Sequence, residues 1–291
     1  MACSKGSLRG YTYVLLAAFC WANVAVFGRF LMKAGMSPYA IVFWRALFAC
    51  LIASLYLALS GKNPFKGVKQ KDFVFYLLLG IVGIGFNYLG YLSAIRYVRI
   101  ATALLILYTF PSLVVVLARL FLKEKITQRK LLSLFLSMLG LVILLGWNIS
   151  FSLIGYAWGF LSAIGNAAYA LIGKRFSEKV DSFKTLFWGF FFGTAFLFLV
   201  MASVEGVSLP EASDFKYIIG LSFVSTFLPY MFFLLSFKYL EAGKASIASL
   251  SEIPITSTLA FLFFSERLGW NHFLGGGLII LSIFFLIKGG D

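Results

Sequence analysis

The sequence predicts an all-α integral membrane protein of ten transmembrane helices, built as two inverted five-helix repeats. Three observations carry this. Of 291 residues, 61% are hydrophobic and 12% charged, which leaves too little polar surface to coat a soluble globule of this size. Ten apolar runs of roughly 16 to 23 residues follow one another, each about long enough for one helix to cross the hydrocarbon core. Finally, Arg96, Tyr97, Ala103, Pro111, Phe121 and Glu124 return as Lys238, Tyr239, Ala245, Pro254, Phe263 and Glu266. The offset is 142 at the flanks and 143 at the proline, so a one-residue insertion before Pro254 is undone after it.

In chain order the runs fall near Tyr11 to Phe27, Pro38 to Leu59, Phe73 to Ile95, Ala101 to Leu122, Leu131 to Gly146, Ile154 to Ile172, Phe183 to Val204, Phe215 to Phe237, Ala245 to Phe264 and Trp270 to Ile287. The fifth and tenth are short. Lys5 and Arg9 precede the first run as in a signal peptide, but no small-residue cleavage site ends it before Gly28 and Arg29, so it reads as an uncleaved span. No gap is long enough for a soluble domain.

Charge orients the bundle. With the N-terminus in the cytoplasm, 17 of the 25 Lys and Arg fall in cytoplasmic segments, six in outer segments, and Arg45 and Arg119 within helices. Both termini then face the cytoplasm. The formal charge of +14 follows from this topology, and no nucleic-acid partner is expected. Five spans per repeat is an odd number, so the second repeat enters the membrane from the opposite side. Inverted repeats are the architecture of secondary transporters. Phe43 and Trp44 answer to Phe187 and Trp188, and Tyr88 to Tyr230, which places one repeat at 1–148 and the other at 149–291.

The motif Leu120-Phe121-Leu122-Lys123-Glu124-Lys125-Ile126-Thr127, after a helix with an interior proline, recurs as Leu262-Phe263-Phe264-Ser265-Glu266-Arg267-Leu268. The duplicated motif, with ten spans and the inversion, resembles the EamA-type permeases of the drug/metabolite transporter superfamily across essentially the whole chain. The resemblance implies a carrier that exports or imports small organic metabolites, often amino acids or related compounds.

Glu124 and Glu266 lie just past helix ends beside cations. They are read as interfacial carboxylates pairing with Lys125 or Arg267 and setting the next helix, or else as substrate contacts. Pro111 and Pro254 each remove a backbone donor and should kink or unwind the fourth and ninth helices; helix breaks in matching positions point to a transporter site. The glycines of the third span (Gly80, Gly83, Gly85, Gly90) and of the tenth (Gly275 to Gly277) suit close helix packing and form no phosphate loop. Tyr88, Tyr91, Tyr108, Tyr169 and Tyr230, with Asn23, Asn87 and Asn166, need partners at depth. They serve either as interhelical glue or as the lining of a cavity for a zwitterionic or aromatic ligand, between the third, fourth, eighth and ninth helices. Arg45 is expected to snorkel outward and Arg119 to the cytoplasm. Cys3, Cys20 and Cys50 suggest neither a disulfide framework nor a thiolate metal site. His272 has no metal-ligand spacing around it, so no metal and no cofactor are expected.

Glu252 is the one carboxylate inside an apolar run, two residues before Pro254. An acidic residue near a helix centre costs roughly 2.5 to 3.5 kcal/mol on insertion scales. Ser249, Glu252 and Thr256, at i, i+3 and i+7, would form one polar stripe facing protein or a water-filled cavity. Such a carboxylate binds a cationic amine, carries a proton in exchange for substrate, or is simply hydrogen-bonded to a neighbouring helix. Members of the resembled family carry an acidic residue near this proline, commonly immediately before it; here Ile253 intervenes. The expectation is a secondary transporter of the plasma membrane, exporting a small metabolite by alternating access, as monomer or homodimer with lipid as its surroundings. The alternative, an intramembrane enzyme acting on a lipid-linked substrate, lacks an acid/base dyad within the spans.

Overall fold

The computed structural model describes residues 5–146, 149–177, 179–265 and 267–288. The repeat boundary placed at 148, together with Cys3 and Glu266, lies outside them. The helices that follow are α1 (Gly6–Lys33), α2 (Pro38–Leu59), α3 (Asp72–Ala94), α4 (Ile100–Phe121) and α5 (Gln128–Leu145). Then come α6 (Leu153–Phe176), α7 (Ser182–Val204), α8 (Phe215–Ser236), α9 (Ala242–Phe264) and α10 (Trp270–Lys288).

Among the described residues nine of these are long and apolar enough to cross a membrane; α6 is the helix that the sequence reading counted as a further span. Its 24 residues reach roughly 36 Å, but Gly155, Gly159, Gly165, Asn166 and Gly173 dilute its apolar character. The reason is packing. α6 is enclosed by α3 and α4, and a Cβ on Gly165 would stand 2.7 Å from the backbone N of Asn87. Small residues let backbones approach where lipid supplies no hydrophobic drive between helices.

The packing repeats itself about a pseudo-two-fold axis. α2 packs on α7, α5 on α10 and α4 on α9; α1 on α8 mirrors α6 on α3, and α1 on α9 mirrors α6 on α4. Glycines set the α5–α10 seam, where a Cβ on Gly140 would lie 2.6 Å from the Gly275 carbonyl oxygen. Local geometry is duplicated too. π-helical turns interrupt α3 at Leu79–Phe86 and α8 at Phe223–Phe227. Lys123 and Ser265, 142 apart, both take left-handed φ values (59° and 55°) where α4 and α9 end. After Lys123 the Glu124 amide donates to the Ala118 carbonyl, six positions back, at 3.2 Å, which turns Glu124 back toward the bundle.

Candidate functional site

Three helices are broken. α4 divides into Ile100–Leu107 and Phe110–Phe121, α9 into Ala242–Ser249 and Glu252–Phe264, and α1 into Lys5–Ala22 and Val24–Lys33 at Asn23. The breaks in α4 and α9 lie in front of Pro111 and Pro254, as the missing N–H of proline requires. Leu250, deprived of Pro254 as donor, accepts instead from the Ile253 amide at 3.1 Å.

Glu252 opens the second half of α9. It is half-buried, while Ser251 and Ile253 on either side are buried. Tyr108, at the break of α4, lies beside its carboxyl, and Tyr91 of α3 and Arg45 of α2 are within electrostatic reach. No Lys or Arg stands within 4.0 Å of it among the described residues. From Ala242 to Leu250 only Lys244 escapes burial, whereas from Glu252 to Phe264 only Ile253 is buried. The half of α9 beyond the break is thus the more exposed of the two.

A polar cluster joins α3, α6 and α8. Asn87 and Asn166 pair through both amides, Asn166 Nδ2 to Asn87 Oδ1 at 2.9 Å and Asn87 Nδ2 to Asn166 Oδ1 at 3.2 Å. Asn87 Nδ2 also donates to Tyr230 Oη at 3.3 Å, and Ser162 Oγ to the Asn87 carbonyl at 2.8 Å. Tyr169 donates to the Tyr230 carbonyl at 3.3 Å, its ring edge-on to that of Tyr230 at 4.7 Å. Tyr88 and Tyr230, the pair at offset 142, meet at 6.3 Å, both turned inward and buried. Tyr169, Asn166, Asn87 and Tyr230 therefore bind α3, α6 and α8 together.

Other expected site residues are engaged locally. Ser249 lies across the break at Leu250 and Ser251 from Glu252, and Thr256 lies one turn beyond Glu252 in the same helix. Their hydroxyls donate to the Ser246 carbonyl and the Glu252 carbonyl, both at 2.8 Å. Asn23 donates to the Phe19 carbonyl at 2.8 Å. Arg45 does not snorkel: it is 8% exposed and directed at α8, while Arg119 is exposed.

Glu124 pairs with Lys130, not with the expected Lys125. Its two oxygens accept from the Ala242 and Gly243 amides at 2.6 and 3.1 Å, capping the N-terminus of α9. Lys130, 1% exposed, lies 3.6 Å from Glu124 and 3.0 Å from Glu241, and donates to the Lys125 carbonyl at 2.9 Å. Anionic groups are favoured at a helix N-terminus by its free amides and dipole. The contact joins one repeat to the other on a lysine-rich face. Above it opens a cavity of about 690 Å³ whose lining includes Lys125, Arg129, Lys174 and Lys238. The opposite end of the pseudo-symmetric pair differs. Ile100, which starts α4 as Ala242 starts α9, is 59% exposed against 0% for Ala242. At the lysine-rich end the Glu124 contact thus joins the repeats, whereas the matching position at the other end, Ile100, is exposed.

The chain matches the profile of the EamA-like transporter family over residues 8–146 and again over 153–288. It is 27% identical over 292 residues to YicL of Salmonella typhimurium, named an uncharacterized inner membrane transporter, with 97% of this chain and 96% of that protein covered. A protein of Rickettsia felis named an S-adenosylmethionine uptake transporter is 24% identical over 291 residues, covering 97% and 94%. A solved crystal structure superposes with a TM-score of 0.82 at 16% identity, over 98% of this chain and 96% of that one, and so shares the fold. The chain belongs to the EamA-like transporter family, and the protein is a multi-pass membrane transporter.

Proposed function

We propose that this transporter exports an amino-bearing metabolite, an amino acid or a related compound, across the cytoplasmic membrane by alternating access. Glu252 is the residue that takes the amine or carries the exchanged proton. One observation carries the reading: a half-buried carboxylate at a helix break, without a cation at ion-pair distance among the described residues. A buried carboxylate is costly unless paired, and an ammonium group of the substrate supplies the pair. S-adenosylmethionine, after which the Rickettsia felis relative is named, bears an α-amino acid group, in keeping with a ligand of this chemistry.

The lysine-rich face is taken as cytoplasmic from the excess of Lys and Arg in its connections, with both termini on that side. On this reading the Glu124 contact seals the inward side, and the exposed Ile100 end is the side that opens outward. Each half-cycle exchanges which of the two ends is closed, with the broken helices α4 and α9 at the centre of the motion. The bundles that move each draw helices from both repeats, 1–148 and 149–291, because α1 packs on α8 and α9 and α6 on α3 and α4; a monomer carries the complete pathway.

Flux tests this. Purified protein in liposomes is expected to move labelled amino compounds unchanged, with a rate that depends on pH. Glu252→Gln keeps size and hydrogen bonding but removes ionisation, and is expected to lose most of the rate or its pH dependence. Wild-type flux with an unaltered pH profile would leave Glu252 a structural residue. Impermeant labelling that places cysteines at Lys69 and Lys184 on the outside would reverse the orientation.

A further inference from the structure

Arg45 is the other ionisable group near this carboxyl, and its guanidinium is held by several contacts. Its Nε donates to Thr226 Oγ1 at 3.0 Å, and Nη2 to the Ser225 carbonyl at 3.4 Å. Both acceptors belong to the π-helical turn of α8, where Thr226 in turn donates to the Leu221 carbonyl at 2.9 Å. Its Cζ stands 4.3 Å over the ring of Tyr88. The guanidinium is therefore fixed in place from two sides, by α8 and by α3. Yet only two of its five N–H donors are taken by these bonds, and among the described residues no carboxylate comes within 4.0 Å.

Two neighbours share the deficit. The Tyr88 hydroxyl and Ser225 Oγ are buried without a hydrogen bond of good geometry among the described residues, the Tyr88 hydroxyl lying beside Tyr230 and Arg45. The guanidinium and the phenol of Tyr88 thus keep donor capacity beside one another, where an unsatisfied group is expensive. If the arginine served only to tie α2 to α8, a neutral donor would do so without the cost of an uncompensated charge. Glu252 lies within electrostatic reach of Arg45 but beyond ion-pair distance. A guanidinium and a carboxyl group thus feel one another without forming an ion pair.

We infer that Arg45, with the Tyr88 hydroxyl, binds the carboxylate of a zwitterionic substrate whose ammonium group is held by Glu252. The ammonium half rests on the reading of Glu252 given above; the carboxylate half stands on Arg45 alone. Planar, fork-shaped donors suit a carboxylate, and the cation–π contact with Tyr88 keeps the fork oriented when no substrate is bound. Selectivity follows from the pair: a ligand lacking its carboxylate leaves Arg45 as it was, and one lacking its amine leaves Glu252 unpaired.

The test uses the full-length protein in detergent and in liposomes, with three matched sets of probes: the twenty standard α-amino acids, the corresponding decarboxylated amines and the corresponding deaminated acids. Wild type is expected to bind at least one amino acid tenfold or more tightly than its matched amine. Arg45→Gln should erase that difference while leaving amine binding in place, and Glu252→Gln should weaken amino acid and amine together. Tyr88→Phe keeps the ring under the guanidinium, so the fold is retained. It should weaken amino acid binding severalfold with no change for the amine.

Equal binding of amino acids and amines by wild type, with selectivity unmoved in both variants, would overturn the role of Arg45 and leave the transport reading intact. Failure of all twenty amino acids to bind would also overturn it. Arg45-dependent binding of the deaminated acids, with no effect of Glu252→Gln, would support Arg45 and instead remove Glu252 from the proposed function.

Discussion

Replacing Glu124 by glutamine should release the closed face. Glu124 joins the repeats by two bonds from its oxygens to the Ala242 and Gly243 amides and by its charge opposite Lys130. Glutamine keeps one acceptor oxygen and presents N–H groups where the other oxygen stood. Lys130 retains Glu241 at 3.0 Å and the Lys125 carbonyl at 2.9 Å, so the net loss is roughly one charge-assisted hydrogen bond, about 1.5–3 kcal/mol. Spent on the equilibrium between closed and open states, this changes their ratio roughly ten- to hundredfold. Ala245, fully buried in the sealed half of α9, is the reporter position. In a Cys3→Ser background, Ala245→Cys should resist an impermeant maleimide applied from the lysine-rich face, and become reactive when Glu124→Gln is added. Cys20 and Cys50, both buried, control for unfolding: they should stay unlabelled. Unchanged protection of Ala245→Cys in a folded Glu124→Gln variant would refute the latch.

A second contact on the same face is sensitive to pH. Lys62 lies 2.6 Å from Asp181. The hydrogen bond to Asp181 holds the Lys62 amine above its usual 10.5; burial works against ionised Asp181, but the bonds from Lys62 and the Phe183 amide outweigh it and hold its carboxyl below the usual 3.8. The contribution is complete between those ordinary values. It disappears as pH falls through the lowered Asp181 value and as pH rises through the raised Lys62 value. Both side chains are about one-third exposed, so it should not exceed about 1 kcal/mol. Asp181→Asn, which keeps the cap on α7, should lower Tm slightly at pH 7 and leave it less dependent on pH below 4; an unchanged acid limb would remove the ion pair from the account. Gly275→Ala and Gly277→Ala form a matched test of the α5–α10 seam. A Cβ on Gly275 would meet the Gly140 carbonyl oxygen and Leu144, whereas one on Gly277 meets nothing within 4 Å. The first should cost about 1–3 kcal/mol and the second nothing, by thermal unfolding in detergent, and equal effects would dismiss the seam.

The spans were legible because hydropathy and helix length answer to one physical constraint, the thickness of the hydrocarbon. Where glycines and a polar amide serve close packing that signal weakens, as in α6. The repeat was legible in Arg96 to Glu124 because its landmarks sit at turns and helix ends that side chains must satisfy. Arg45 misled because snorkelling assumes a lipid-facing arginine, and no pattern in α2 reveals that the π-helical turn of α8 supplies its acceptors. Glu124 misled for a similar reason. Its sequence neighbour Lys125 is exposed, and its actual partners at Ala242 and Gly243 are reached only when the two repeats are packed. A signal did exist for Asn87 and Asn166, amides in apolar helices, but not for their being each other's partner.

The prolines show how two repeats can share a shape and differ in chemistry. The breaks fall at Tyr108 and Thr109 in α4 and at Leu250 and Ser251 in α9, an offset of 142 that matches the rest of the repeat, although the prolines are 143 apart. The amides in a helix's first turn have no intrahelical acceptor, so a proline is tolerated at either of these neighbouring positions. Pro111 is the second residue after the α4 break and Pro254 the third after the α9 break. The one-residue shift is therefore silent for the break itself. It is not silent for the residue that opens the new helix. That position is Phe110 in α4 and Glu252 in α9, and at a helix N-terminus the free amides and dipole favour a carboxylate. The pseudo-symmetric frame, with its matched breaks, π-helical turns and left-handed caps, thus supplies two equivalent positions, and the sequence puts charge at only one of them. Rocking motion needs the symmetry of the backbone; recognition of a ligand with unlike ends needs this departure from it.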